Sequence, residues 1–223
     1  VDPNLNTVHL NGVHYSEIVA PNETGRRHSR DDVAEAALRI LDDLGLPDLT
    51  MRRLAAALDV QPSALYWHFP NKQTLLAELA DRIVATRRAP GRGRPADGED
   101  DWQEGVRAEA SALRDALLSY RDGAEVVSST LALGLGSPET VDRLSRAVAR
   151  GGFDAETSRR AATALLHFVL GHVSHEQQRL QYDSLGVLAD AEASPLDEDD
   201  PAAAFAFGVG LLVGGLELSR SRR

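Results

Sequence analysis

Gln61, Pro62, Ser63 and Ala64, followed closely by Tyr66, Trp67 and His68, bring amide, hydroxyl, phenol, indole and imidazole groups into one short stretch. Arg52 lies shortly before it and Lys72 shortly after. Such groups match the donor and acceptor patterns of base edges and phosphate oxygens in duplex DNA. On this reading Gln61, Ser63 and Ala64 reach bases, while Arg52, Tyr66, His68 and Lys72 grip the sugar–phosphate backbone. Leu65 and Phe69 are four apart and face a core, which turns Tyr66, Trp67 and His68 partly or wholly outward. Exposed aromatics of this kind mark contact surfaces.

The elements that must position these groups are legible around them. Thr50 stands before MRRLAAAL, where Leu54, Ala55 and Leu58 share a helical face, so Thr50 is the expected N-cap. Asp59 and Val60 break the rhythm, Pro62 suits a first helical turn, and a second short helix is expected over Ser63–Phe69, stopped by Pro70. Asn71 caps a longer helix, expected from Lys72 to Arg88, with Leu75, Leu76, Leu79 and Ile83 inward. Upstream, Ser29 with Asp32 starts a helix over Asp31–Leu44. Two short helices and a tight turn between longer helices outline a helix-turn-helix head. The residues alone leave open an ordinary helical hairpin with Tyr66 and Trp67 in its core.

The run LTMRRLAAALDVQPSALYWHFPNKQTLLAELAD resembles the DNA-binding domain of the tetracycline repressor (TetR) family. The segments WQEGVRAEASALRDALLSYRDGAEV, LLHFVLGHVSHEQQ and FAFGVGLLVGGLE are similar to the family's C-terminal domain, so the resemblance spans most of residues 30–219. It implies an all-α homodimer that binds a double-stranded DNA operator and is released by a small molecule held in the C-terminal domain. The expected organisation is a flexible N-terminal extension (1–27), a helix-turn-helix DNA-binding domain (28–88), a Gly/Pro-rich linker (89–101), and a ligand-binding and dimerisation domain (102–223).

Composition fits such a protein. With 43% hydrophobic and 26% charged residues the chain has ordinary globular composition, and zero cysteines exclude disulfides, thiolate catalysis and Cys-ligated zinc. No basic segment followed by an apolar run opens the chain, so a cytoplasmic location is expected. The net charge of −10 is unevenly spread: residues 26–88 carry 10 Arg/Lys against 9 Asp/Glu, and residues 89–223 carry 14 against 22. A near-neutral head binds phosphate if its cations share a face, while the acidic body points away. The basic run GRRHSR, residues 25–30, reads as an arm able to enter a minor groove, or as a solvated leader. Arg92-Gly93-Arg94-Pro95 in the linker has the core of a minor-groove hook, but acidic residues follow at once. The segment from Tyr182 to Pro201 reads as a solvated loop.

His167, His172 and His175 with Glu176 invite a metal reading, yet HEQQR lacks the second histidine of a zincin helix, and no nucleophile elbow or phosphate-cradling loop occurs. Neither an enzyme nor a metal cofactor is expected. The apolar run over residues 202–216 is too short for a membrane span, and Glu217 closes it. It suits a two-fold four-helix bundle instead, with Gly210 and Gly214 allowing close approach and Phe168, Phe205, Leu212 and Leu216 as knobs.

The resemblance also bears on the effector. In tetracycline-binding members of the family, the position three residues after RDGA carries the histidine that coordinates drug-bound magnesium; this chain has Val127, while the nearby threonine is kept as Thr130. His175 falls where those members place a carboxylate. The residues that grip the drug rings align with Arg88 and Glu109, and the aromatic wall aligns with Leu113. The expected pocket is therefore metal-independent, formed by Arg88, Glu109, Leu113, Val127, Thr130, Leu144, His167 and His175. It would take a small organic molecule other than magnesium-tetracycline. The contrasting expectation is a helical dimer that serves as a protein-interaction module without operator binding.

Overall fold

The computed structural model describes residues 28–86, 102–184 and 200–220. The extension over residues 1–27, Arg88, the linker with its Arg-Gly-Arg-Pro sequence, and most of the expected loop before Pro201 lie outside the described residues. Among those described, all regular structure is helical: α1 (Arg30–Leu44), α2 (Met51–Ala57), α3 (Pro62–Leu65), α4 (Lys72–Ala85), α5 (Trp102–Leu118), α6 (Gly123–Ala132), α7 (Glu139–Ala149), α8 (Ala155–Ser184) and α9 (Pro201–Arg220).

Helices α1–α4 form the head around Val33, Ala37, Leu41, Leu54, Leu65, Phe69, Leu75, Leu79 and Ile83, all essentially buried. Their ends follow the sequence closely. Ser29 and Asp32 make a reciprocal capping box, Thr50 Oγ1 accepts from Arg53 N–H, and Asn71 pairs with Thr74 in a second box. Each cap satisfies amides that a helix start leaves without partners. Leu58 and Leu76 are half-buried rather than core, because α2 already ends at Ala57 and Leu76 sits at the edge of the stripe. An ion-pair network ties α1 to α4. Arg30 and Arg82 both bind Glu78, at 2.9 Å each, and Arg82 also reaches Asp31.

Helices α5–α9 form the body. The helix α8 extends through Ser184, so Tyr182 is helical and not part of a loop. Helix α9 is longer than its apolar run suggested, so length no longer separates it from a membrane span. Phe205, Val209 and Val213 are buried against the body, and Glu217, inside the helix, accepts from Gln103 at 3.2 Å. Gly208 permits that packing, since a Cβ there would stand 2.2 Å from the Phe168 ring.

Head and body meet along α6. Asp122, in a left-handed conformation (φ 56°), accepts the Leu46 N–H at 2.7 Å and a bond from Gln181. Gly45 makes room for it: φ is 87°, and a Cβ would come to 3.0 Å of the Asp122 carboxylate. Arg121 donates to the Asp42 carboxylate and the Asp43 carbonyl. Beyond the other end of α6, Ser137 N–H donates to Asp81 of α4 at 2.7 Å.

Burial by itself would raise the Glu78 carboxyl, but hydrogen bonds from Arg30 and Arg82 outweigh it and hold the group below the ordinary 4.5. A carboxylate depressed on folding adds stability above its unfolded value and loses it as pH falls through its folded value. Glu78→Gln should therefore cost on the order of 1 kcal/mol at neutral pH, given a partly exposed pair. The gap between wild type and variant should close as pH falls from about 5 to 3. Thermal unfolding at a series of pH values checks this; parallel curves would refute it.

Candidate functional site

The turn from α2 into α3 presents one exposed surface. Asp59 takes φ 53°, Gln61 occupies the N-cap position of α3, and Pro62 sits in its first turn, where a missing N–H costs nothing. Gln61, Pro62, Ser63 and Ala64 are all exposed. Leu65 and Phe69 are 1% and 0% exposed, and they force Tyr66 outward at 49% and Trp67 at 90%. This excludes the hairpin with Tyr66 and Trp67 in its core. Arg52 is exposed on α2, and Lys72 is half-buried at the start of α4.

One expectation needs correction. The second helix is Pro62–Leu65, not Ser63–Phe69; the amides of His68 and Phe69 close turns onto Leu65 O. Pro70 disfavours helical backbone at Phe69 and so keeps the helix from resuming there. His68 is half-buried, so it is partly outward. Arg53 is exposed like Arg52 but is paired with Asp48 at 2.7 Å.

The expected effector residues divide. Leu113 and Leu144 are 0% exposed, Val127 and Thr130 are 2%, and they come from α5, α7 and α6 into one core. Thr130 donates its hydroxyl to Val126 O at 2.6 Å. Glu109 joins them at 9% exposure, bound bidentately by Arg143 of α7 at 2.9 and 3.1 Å. That pairing was not foreseen, because nothing in local spacing links α5 to α7. His175 is half-buried, and Glu176 beside it is held bidentately by Arg114 at 3.1 and 2.6 Å. His167 does not belong to this core: it lies exposed on the outer face of α8. A separate surface cleft of about 440 Å³ lies between α7 and α8, lined by Val141, Asp142, Ser145, Ala155, Glu156 and Arg159. It shares no residue with the expected pocket.

The expected interface residues divide between an inner and an outer face. Phe205 is 3% exposed and stacks on Phe168 within the same chain, ring centroids 5.7 Å apart. Phe168 is half-buried on Gly208, and Leu212 and Leu216 lean on the body core. These knobs hold α9 to its own protomer. The outward stripe of α9 is instead Phe207 (70% exposed), Leu211 (62%), Gly214 and Leu218 (66%), at helical spacing. Gly210 is half-buried and Gly214 exposed, and neither has an atom within 4 Å of a would-be Cβ. On α8 the exposed stripe includes Ala164, His167 and Gly171. Periodicity placed these helices together; it did not tell which apolar face stays within the protomer.

Comparison with known proteins agrees with this architecture. Residues 33–79 match "Bacterial regulatory proteins, tetR family", and residues 94–188 match "Tetracyclin repressor-like, C-terminal domain". The chain is 35% identical over 198 residues to the tetracycline repressor protein class A from transposon 1721 of Escherichia coli, covering 84% of this chain and 90% of that protein. Among solved structures it is similar to Mycobacterium smegmatis BioQ (TM-score 0.74, 44% identity, 85% of this chain and 97% of the other). BioQ with its natural double-stranded DNA operator gives a TM-score of 0.68 at 42% identity, over 85% and 98% of the two chains. A TetR variant from Acinetobacter baumannii AYE in complex with minocycline gives 0.68 at 31% identity, over 86% and 98%. With both domains matched and curated relatives above 30% identity over most of its length, this all-α chain, with its helix-turn-helix head and helical body, belongs to the TetR family of bacterial regulatory proteins.

Proposed function

We propose that this protein is a transcriptional repressor of the cytoplasm that binds a palindromic double-stranded operator as a homodimer and is released by a small organic effector. The observation that carries the reading is the outward surface of Gln61–Ala64, Tyr66 and Trp67 beside Arg52 and Lys72. A 90%-exposed tryptophan on an otherwise well-packed head needs a partner surface. A short helix whose first residues are polar and exposed fits the major groove, and flanking cations fit the phosphates. The match to a DNA-bound relative at 42% identity supports the same reading.

The outer stripes of α8 and α9 supply the dimer: Phe207, Leu211 and Leu218 beside Ala164, His167 and Gly171 would close a two-fold four-helix bundle. Two-fold pairing sets the heads at half-sites about a helical turn or more apart. The effector core is that of Leu113, Val127, Thr130 and Leu144, with Glu109 and Arg143 at its polar edge. Because α4 packs on both α5 and α6, a ligand that spreads this core shifts α4 and the head fused to it. Moving an operator-bound population from 99:1 to 1:99 needs about 5.5 kcal/mol of differential affinity, within reach of two bound ligands.

Two outcomes are expected. Tyr66→Ala with Lys72→Ala should abolish mobility shift of a duplex selected by the wild-type chain while leaving a dimer in size-exclusion with light scattering. Phe207→Glu with Leu211→Glu should lose dimer and DNA binding together. A wild-type chain that dimerises but selects no sequence would favour the interaction-module reading. Separately, Val127 offers no metal ligand where tetracycline binding would need one, and Arg114 occupies the Glu176 carboxylate. Calorimetry with magnesium-tetracycline should show binding no tighter than about 0.1 mM, roughly −5.5 kcal/mol. Nanomolar binding would overturn the metal-independent pocket.

A further inference from the structure

The basic run over residues 25–30 reads in sequence as an arm that touches DNA. Two of its side chains turn instead toward the reading helices. His28 Nε2 lies 2.9 Å from the Leu58 carbonyl, the C-cap of α2. Arg30, the first residue of α1, makes three separate engagements. Its Nη1 donates to His68 O at 3.1 Å, its Nε and Nη2 donate to Glu78 at 3.2 and 2.9 Å, and its guanidinium carbon stands 4.4 Å over the Phe69 ring.

Leu58 O and His68 O close the two reading elements on their C-terminal sides. As the C-cap carbonyl of α2, Leu58 O has no donor within its own helix and carries the negative end of its dipole, while His68 O lies in the turn that follows α3. Arg30 meets one of them and in the same stroke ties it to α4 through Glu78, which Arg82 holds from the other side. Phe69 is fully buried, so the face of its ring is a fixed platform for the guanidinium.

We infer that Arg30, aided by His28, is a positioning residue for operator recognition: it sets the angle at which the Gln61–Trp67 surface is presented, and it does so without contacting phosphate. Its side chain is 55% exposed, so a phosphate has access. However, one N–H on each of the three guanidinium nitrogens, three of about five donors in all, is already committed to His68 or Glu78. A lysine, with one point charge and no planar fork, cannot make the three engagements together.

The inference rests on the DNA-reading proposal, and the test separates the two. The probes are a duplex enriched by the wild-type chain from a random pool and a scrambled duplex of equal length. Both are titrated across about 50 to 200 mM salt, where neutralised phosphates govern the slope. No enrichment by wild type would sink the proposal of operator binding itself. Given enrichment, Arg30→Ala should weaken the selected duplex about tenfold, leave scrambled-duplex affinity near wild type and keep the salt slope. Arg52→Ala, the phosphate-binding control, should weaken both duplexes and lower the slope by about one for each phosphate no longer neutralised. Arg30→Lys should stay weak, and Glu78→Gln should reproduce the loss of discrimination in smaller measure. These two variants carry the test if Arg30→Ala melts below the assay temperature. An Arg30 variant that weakens both duplexes equally with a shallower slope would make Arg30 a phosphate ligand, and unchanged affinities would deny it any role; either overturns the inference.

Discussion

The structure depends most on a single carboxylate. Asp122 occupies the turn between α5 and α6 in a left-handed conformation uncommon for anything but glycine, and spends no oxygen on capping α6. It accepts instead from Leu46 N–H of the head and from Gln181 of α8. Gln177, one turn earlier on α8 and 7% exposed, pins the same turn by donating to Leu117 O and Tyr120 O and accepting from Ala124 N–H. With Asp81 and Ser137 joined beyond the other end of α6, both flanks of that helix carry a bond from body to head. The orientation of the reading surface is thereby a property of the body's packing, which is what a ligand lodged in the body would have to exploit.

The distribution of charge follows the same division of labour. Within the head, Arg30 and Arg82 are consumed by Glu78 and Asp31, and Arg53 by Asp48. These pairs brace helices rather than advertise charge. Arg52 and Lys72 form no ion pair with any described residue, and they flank α3 in sequence. A head with little net charge and a strongly acidic body would gain less from indiscriminate phosphate attraction than a basic domain. Affinity must then come more from shape and base recognition, which puts weight on how rigidly α3 is held.

Much of this was legible in the sequence where the signal is local. Thr50, Asn71 and the Ser29–Asp32 box are caps whose effect reaches three residues, and each stands where spacing put it. Leu65 and Phe69 fixed the outward turn of Tyr66 and Trp67 for the same reason. The length of α3 was misjudged although Pro70 carried the signal, since a proline restrains the residue before it as well as itself. Long-range choices were not legible. Whether Phe205 faces its own protomer or another turns on Gly208 admitting the Phe168 ring, and periodicity did not place His167 on the exposed face of α8. Ion pairs such as Glu109–Arg143 and Arg114–Glu176 join helices through tertiary packing that periodicity does not encode.

Fixed coupling of head to body can be measured directly, and the absence of native cysteines makes labelling clean. Spin labels at Gln73→Cys on α4 and Arg160→Cys on α8, both exposed, report one intramolecular distance by pulsed dipolar spectroscopy when labelled chains are diluted with unlabelled ones. The account predicts a single narrow distribution that broadens or shifts when Asp122→Ala and Asp81→Ala are introduced together. A distribution that is unchanged by losing both carboxylates would show that something other than these bonds holds the head in place.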